Sequence, residues 1–209
     1  MSDSKSINTG RKSAYVARNR AALIKATQEV LAEHGLVATV ELVAERAQIA
    51  VSTIYKHFDN KEALFEAAFI EGMLEWEKWA QSTLLTVTNP AERLVFPMRL
   101  MLKVPETHPI FAKLIARNPL EFLLAVPQTD LGLEKAMGEL AGSSTISIDE
   151  LKARATNMIR ILTTTMIELC TNPQVSIEEA RRSIAIGLEL LGFTRDDIKD
   201  LMSRPLPNN

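Results

Sequence analysis

"AVSTIYKHFDNKEALF", residues 50–65, decides how the chain is read. Two aromatics, a lysine and a histidine crowd into a few positions, the pattern breaks at "DN", and "KEALF" restarts it. On a helix over 51–57, Ile54 and Phe58 are four apart and face a core. Ser52, Thr53, Lys56 and His57 then fall on the outer side, with Tyr55 at the edge. A new helix is expected to start at the Asp59…Glu62 capping pattern.

Working backwards, Gly35 reads as the end of a helix over 19–34, and Thr39 as the cap of a second over 40–47. Leu42, Val43 and Ala47 of the second are spaced to pack against Leu23, Ala26 and Val30 of the first. Only "QIA" separates 40–47 from 51–57. Two short helices with a tight turn, the second ending in a basic-aromatic cluster, describe a helix-turn-helix. Hydroxyls, an amine and a phenol suit phosphates and base edges of a DNA major groove, and Val51 suits a thymine methyl. Lys61 falls in the first turn of the next helix, where backbone N–H groups also favour a phosphate. On spacing alone, a solvated polar face around a filler tyrosine explains these residues equally well.

The stretch "RAALIKATQEVLAEHGLVATVELVAERAQIAVSTIYKHFDNKEALF" resembles the DNA-binding domain of the tetracycline-repressor (TetR) family of transcriptional regulators. The likeness covers roughly residues 20–65 and rests on Gly35, Thr39, "VAERA", "TIYKHF" and "KEAL". It implies an N-terminal three-helix DNA-binding domain followed by a helical domain for effector binding and dimerisation. By resemblance, Tyr55, His57 and Lys61 clamp phosphates, Ser52, Thr53 and Lys56 address base edges or neighbouring phosphates, and Thr39 joins the DNA-binding set. Lys5, Arg11, Lys12 and Arg18 are candidates for further DNA contacts from the N-terminal arm. The chain departs from the family pattern at Gln48, usually glycine, and Ala50, usually serine. A non-glycine in a left-handed turn costs roughly 1 kcal/mol, and alanine is a poor N-cap. These two residues motivate a rival reading, a helical small-molecule or protein-binding module whose DNA binding has lapsed.

Charge agrees with a DNA-facing N-terminus. The net charge of −2 divides into nine Lys/Arg against six Asp/Glu in residues 1–61 and fifteen against twenty in 62–209. The 209 residues, 46% hydrophobic, can bury a sizeable core. No apolar run approaches the ~18 residues of a membrane span, and the polar start is no secretory signal. A cytoplasmic location without membrane contact is expected. The single Cys170 excludes an internal disulfide and reads as a buried thiol.

Nearly everything else reads as helix. Capping patterns recur as Asn89…Glu92, Asn118…Glu121, Ser147…Glu150, Ser176…Glu179 and Thr194…Asp197, and two of them place proline at the first helical position. The expected fold is all-α, with further helices over 60–86, 90–103, 107–117, 119–126, 129–141, 148–171, 176–191 and 195–203. The expected organisation is a flexible arm (1–12), a helix-turn-helix DNA-binding domain (13–60), an effector-binding and dimerisation domain (61–203) and a tail (204–209).

The helices over 148–171 and 176–191 carry apolar residues on two sides, so each needs two partners. A homodimer interface is expected from Leu162, Met166, Ile177, Ala180, Ile184, Gly187, Leu188 and Leu191. Ile159, Ile167, Ile186 and Leu190 form the second apolar side. An effector pocket is expected from Trp76, Phe96, Met101, Phe111, Phe122 and Met158, bulky or adaptable apolar groups suited to a largely apolar or aromatic small molecule. His108, Arg99, Arg117 and Arg160 are candidates to orient a polar group on it. The three histidines lack metal spacing, no glycine-rich phosphate loop occurs, and no serine has a nearby base. The sequence therefore reads as a regulator without catalytic activity, cofactor or metal. Its expected partners are a pseudo-palindromic double-stranded operator, a small effector and a second copy of itself.

Overall fold

The computed structural model describes residues 3–126 and 147–207, and within them every regular element is a helix. Eleven elements follow in order: α1 (Asp3–His34), α2 (Val40–Ala47), α3 (Val51–Ile54), α4 (Lys61–Thr83), α5 (Pro90–Met101), α6 (Val104–Thr107), α7 (Pro109–Arg117), α8 (Pro119–Ala125), α9 (Ile148–Thr171), α10 (Ile177–Leu191) and α11 (Arg195–Ser203). A 3₁₀ turn, Gly35–Val37, joins α1 to α2. The helix expected over 129–141 lies outside the described residues.

Helix α1 begins at Asp3, well ahead of the start expected at 19, so the segment read as a flexible arm continues the helix. Its stretch "SKSINTGRKS" contains no proline, and polar residues other than glycine each cost only tenths of a kcal/mol, roughly 0.7 at most, in a helix. At the other end Gly35 takes φ 64°, a left-handed conformation that stops α1. Thr39 then caps α2, its Oγ1 accepting from the Leu42 amide at 3.3 Å.

Gln48 ends α2 in the left-handed region at φ 54°, as its place in the turn requires. The Ile49 amide donates to Ala44 O at 3.0 Å and the Gln48 amide to Glu45 O at 3.1 Å, so the turn closes with its carbonyls satisfied. Ala50 offers no side-chain cap, yet α3 starts at Val51, and Ser52 lies inside it rather than capping a later start. After Ile54 the helix tightens into turns, with His57 donating to Ile54 O at 2.8 Å and Phe58 at 3.0 Å. Ile54 and Phe58 are buried against Leu23, Val30 and Val43 in one continuous core. Arg46 of α2 reaches across to Glu33 at 2.7 Å and Glu29 at 3.4 Å on α1.

The cap of α4 is Asn60, which accepts from the Ala63 amide at 2.8 Å, and not Asp59 as the spacing implied. Helix α4 ends at Thr83 rather than 86, with Leu84 as its C-cap and a turn over 84–86. Its 23 residues span about 35 Å at 1.5 Å per residue. Buried Gln28 ties α1 to α4 by donating to Ala68 O at 3.1 Å.

Helix α7 packs between α1 and α9. At the close approach of α4 to α7, Gly72 leaves room for Phe111: a Cβ there would stand 2.7 Å from the ring. Asn118, expected to cap α8, makes no cap bond. Its amide instead donates back to Leu114 O at 2.9 Å and across to Leu31 O at 3.4 Å, joining α7 to the end of α1.

Helix α10 lies along α9, and Gly187 is the point of closest approach, where a Cβ would stand 2.4 Å from Met158 Sδ. The expected caps Asn89, Ser147, Ser176 and Thr194 are all formed.

Candidate functional site

Two regions bring the sequence-derived residues together. The first is the outer face of the helix-turn-helix. Ser52, Tyr55 and Lys56 are exposed, Tyr55 at 51%, while Thr53 and His57 are half-buried beside them. Val51 packs partly on the core, and Thr39 is exposed at the start of α2. Phe58 beneath the face holds Arg20 over its ring at 5.5 Å. Lys61 is directed inward: its ammonium donates to Leu36 O at 3.2 Å and lies 5.0 Å over the Phe65 ring. A phosphate contact from Lys61 requires it to exchange the Leu36 carbonyl for the anion.

The second region is a cavity of about 720 Å³ enclosed by α4, α5, α7, α8 and α9. Four of the six expected pocket residues line it: Trp76, Met101, Phe111 and Phe122. Phe111 and Phe122 meet edge to face at 5.9 Å. Phe96 and Met158 do not line it. Phe96 points away and carries Arg99 at 5.2 Å over its ring, and Met158 is spent on the α9–α10 contact at Gly187. Further apolar lining comes from Met73, Leu94, Met98, Leu162 and Met166, with Glu77, Gln81, Arg93 and Thr163 supplying the polar groups. The indole Nε1–H of Trp76 is buried without a hydrogen-bond partner.

None of the four expected orienting residues reaches this cavity. His108 stacks edge-on against Trp79 at 5.1 Å, and burial lowers its pKa below the ordinary histidine value. Arg99 is buried against the C-terminal end of α11, Arg117 is exposed, and Arg160 binds Asn157 on the surface. Sequence reasoning missed Arg93, which sits one turn into α5 behind the Asn89 cap. Its spacing from Leu94, Pro97 and Met98 was the available signal.

Most of the expected dimer residues are taken up by packing within the single chain. Ala180, Ile184, Gly187, Leu188 and Leu191 are buried within their own chain, Gly187 directly against Met158 of α9, while Leu162 and Met166 line the cavity. Of that set only Ile177 is exposed, at 47%. The outward apolar residues of α10 are Ile186 and Leu190, at 60% and 51% exposure, the side read from the sequence as secondary. An apolar stripe tells which side is buried but not which neighbour buries it.

Among the described residues no group of His, Cys, Asp and Glu could hold a metal ion, and no helix is long and apolar enough to cross a membrane.

A helix-turn-helix is thus joined to a helical body that holds a largely apolar cavity. Residues 23–68 match the family described as bacterial regulatory proteins, tetR family. The whole fold is similar to RolR bound to resorcinol (TM-score 0.70, 19% identity, 94% of this chain and 98% of that one). It is also similar to the fatty acid degradation regulator FadR from Bacillus halodurans (0.62, 19%, 85% and 96%) and to a TetR-family transcriptional regulator from Streptomyces coelicolor (0.59, 17%, 83% and 99%). No curated protein matches the sequence. Residues 23–68 thus match the N-terminal domain of that family, and the whole chain shares the fold of these solved structures.

Proposed function

We propose that the protein is a homodimeric repressor that releases its operator when a small, largely apolar or aromatic effector enters the α4–α9 cavity. The observation that carries this reading is the largely apolar cavity of about 720 Å³ whose walls include Trp76, Met101, Phe111 and Phe122. Such a lining suits a flat, largely apolar body with few polar groups; resorcinol, the ligand bound to RolR, is an aromatic ring carrying two hydroxyls. Ser52, Tyr55, Lys56 and His57 face the DNA, with Ser52 and Lys56 toward base edges and Tyr55 on a phosphate. Two copies joined through Ile186 and Leu190 would present two such faces to successive major grooves, ~34–36 Å apart.

An effector can shift the DNA-binding state only through unequal affinity for the two states. The route supporting this runs from the cavity wall at Phe111 through Gly72 to α4, and along α7 to Asn118 under the end of α1. A shift of α7 would then be felt at both ends of the helix-turn-helix. The test is selection from a random duplex library, followed by titration of phenols into the complex with the selected DNA. An inverted repeat released as Trp76 emission changes supports the reading. Absence of any enriched sequence at low salt would favour the rival reading of a lapsed DNA-binding helix.

A further inference from the structure

A second cleft, separate from the effector cavity, lies where α5, α10 and the segment after α11 meet; Trp79, Arg99, Lys103, Ile177, Arg181 and Leu206 are among its walls. Two arginines converge there, and both are held by the end of α11. Arg99 donates from Nη1 to Leu201 O at 2.9 Å, and Arg181 from Nη2 to Met202 O at 2.6 Å. Arg99 is only 8% exposed, and its Nε–H has no partner. Its hydrogen-bonding acceptor is a neutral carbonyl, so the buried charge is uncompensated by any anion at hydrogen-bond distance. The carboxylate nearest Arg181, Glu178, stands 3.9 Å away and is largely in solvent, while Glu106 is an exposed residue of the wall. Burial first, and the Arg181 charge second, hold the Arg99 pKa below its ordinary value.

An uncompensated buried cation beside a second cation is an arrangement that an entering anion relieves. We propose that this cleft binds a small organic anion, its carboxylate or phosphate head meeting the guanidinium groups of Arg99 and Arg181. The apolar part lies along Leu100, Ile177 and Leu206. Arginine suits this role because its planar fork meets two oxygens at once. The site is independent of the proposed effector cavity and of DNA binding.

The chain has two tryptophans, and only Trp79 lines this cleft while Trp76 lines the cavity. In the Trp76→Phe protein, emission therefore reports the cleft alone. Octanoate, inorganic phosphate and octan-1-ol are titrated at constant ionic strength. The expected result is a saturable change in Trp79 emission with octanoate, phosphate or both, and Arg181→Gln weakening it by about tenfold or more, the loss of one charge-assisted hydrogen bond. Phosphate alone saturating identifies a phosphoryl head, and octanoate alone a carboxylate on an apolar body. Arg99→Lys, which keeps the charge and loses the fork, is expected to weaken binding while circular dichroism remains native. Octan-1-ol matching octanoate, or anion binding unchanged in both variants, overturns the proposal. The Trp79→Phe protein, which reports the cavity, tests the effector reading separately.

Discussion

Replacing Gly72 by alanine probes the link between the cavity and the DNA-binding domain at its tightest point. The new Cβ would stand 2.7 Å and 2.8 Å from two carbons of the Phe111 ring. Unbonded carbons rest at about 3.5–4.0 Å, so the overlap is about 1 Å. Phe111 is held edge-on by Phe122, which leaves the cavity as the open direction for the ring. Overpacking of this kind costs about 1–3 kcal/mol. For a chain of this size each kcal/mol lowers the melting temperature by about 2–4 °C, so a fall of about 6 °C is expected. Phe111→Leu should relieve the clash, giving a double-mutant coupling of at least 0.5 kcal/mol or so in favour of the pair. Thermal melts of the four proteins, followed by circular dichroism at 222 nm or so, give the cycle. The Gly72→Ala ring displaced into the cavity should also weaken binding of an aromatic ligand. Additivity of the two substitutions within about 0.3 kcal/mol, with ligand affinity unchanged, would refute the packing argument.

Three further outcomes are expected. Ile186→Glu and Leu190→Glu should yield a folded monomer by sedimentation. Ile184→Arg, at a fully buried position, should instead unfold the chain, since an unpaired buried charge costs about 3–5 kcal/mol; a folded Ile184→Arg protein would contradict the placement. Gln48→Gly should change stability by less than about 1 kcal/mol, whereas Gln48→Val should destabilise by about 1–3 kcal/mol, because a β-branched residue resists φ 54°; urea denaturation compares them. Burial pushes the Cys170 thiol up to about 12 from its ordinary 9.0. Its raised pKa contributes stability that is intact below pH 9.0 and is lost as pH rises toward about 12. Cys170 is only partly buried, yet at pH 8 the thiol should still react more slowly with a disulfide reagent than after denaturant is added, and equal rates in the native and denatured protein would contradict the raised pKa.

Much of this was legible in the sequence because local rules agreed with one another. Thr39, Asn89, Ser147, Ser176 and Thr194 announce helix starts that all form, and the Ile54–Phe58 pair fixes which side of the helix-turn-helix is outside. The choice of Asp59 over Asn60 failed because either side chain can cap and only the backbone path selects between them. Asn118 failed because its side-chain amide donates instead to one local and one long-range carbonyl, those of Leu114 and Leu31. Gly187 and Met158 show the larger limit: spacing marks a close approach, but a partner inside the chain and one in a second copy leave the same pattern. The cavity was half legible, since bulky apolar residues look alike whether they line a space, as Met101 does, or fill one, as Met158 does.

The central claim is that residues 52–57 read DNA. Its most direct test is fluorescence anisotropy with a duplex selected from a random library, set against a scrambled duplex at the same salt. Tyr55→Ala should weaken binding to both duplexes alike, and Ser52→Ala should cost about 1–3 kcal/mol on the selected duplex while leaving the scrambled one unchanged. Wild-type affinity for the selected duplex in both variants would contradict the account.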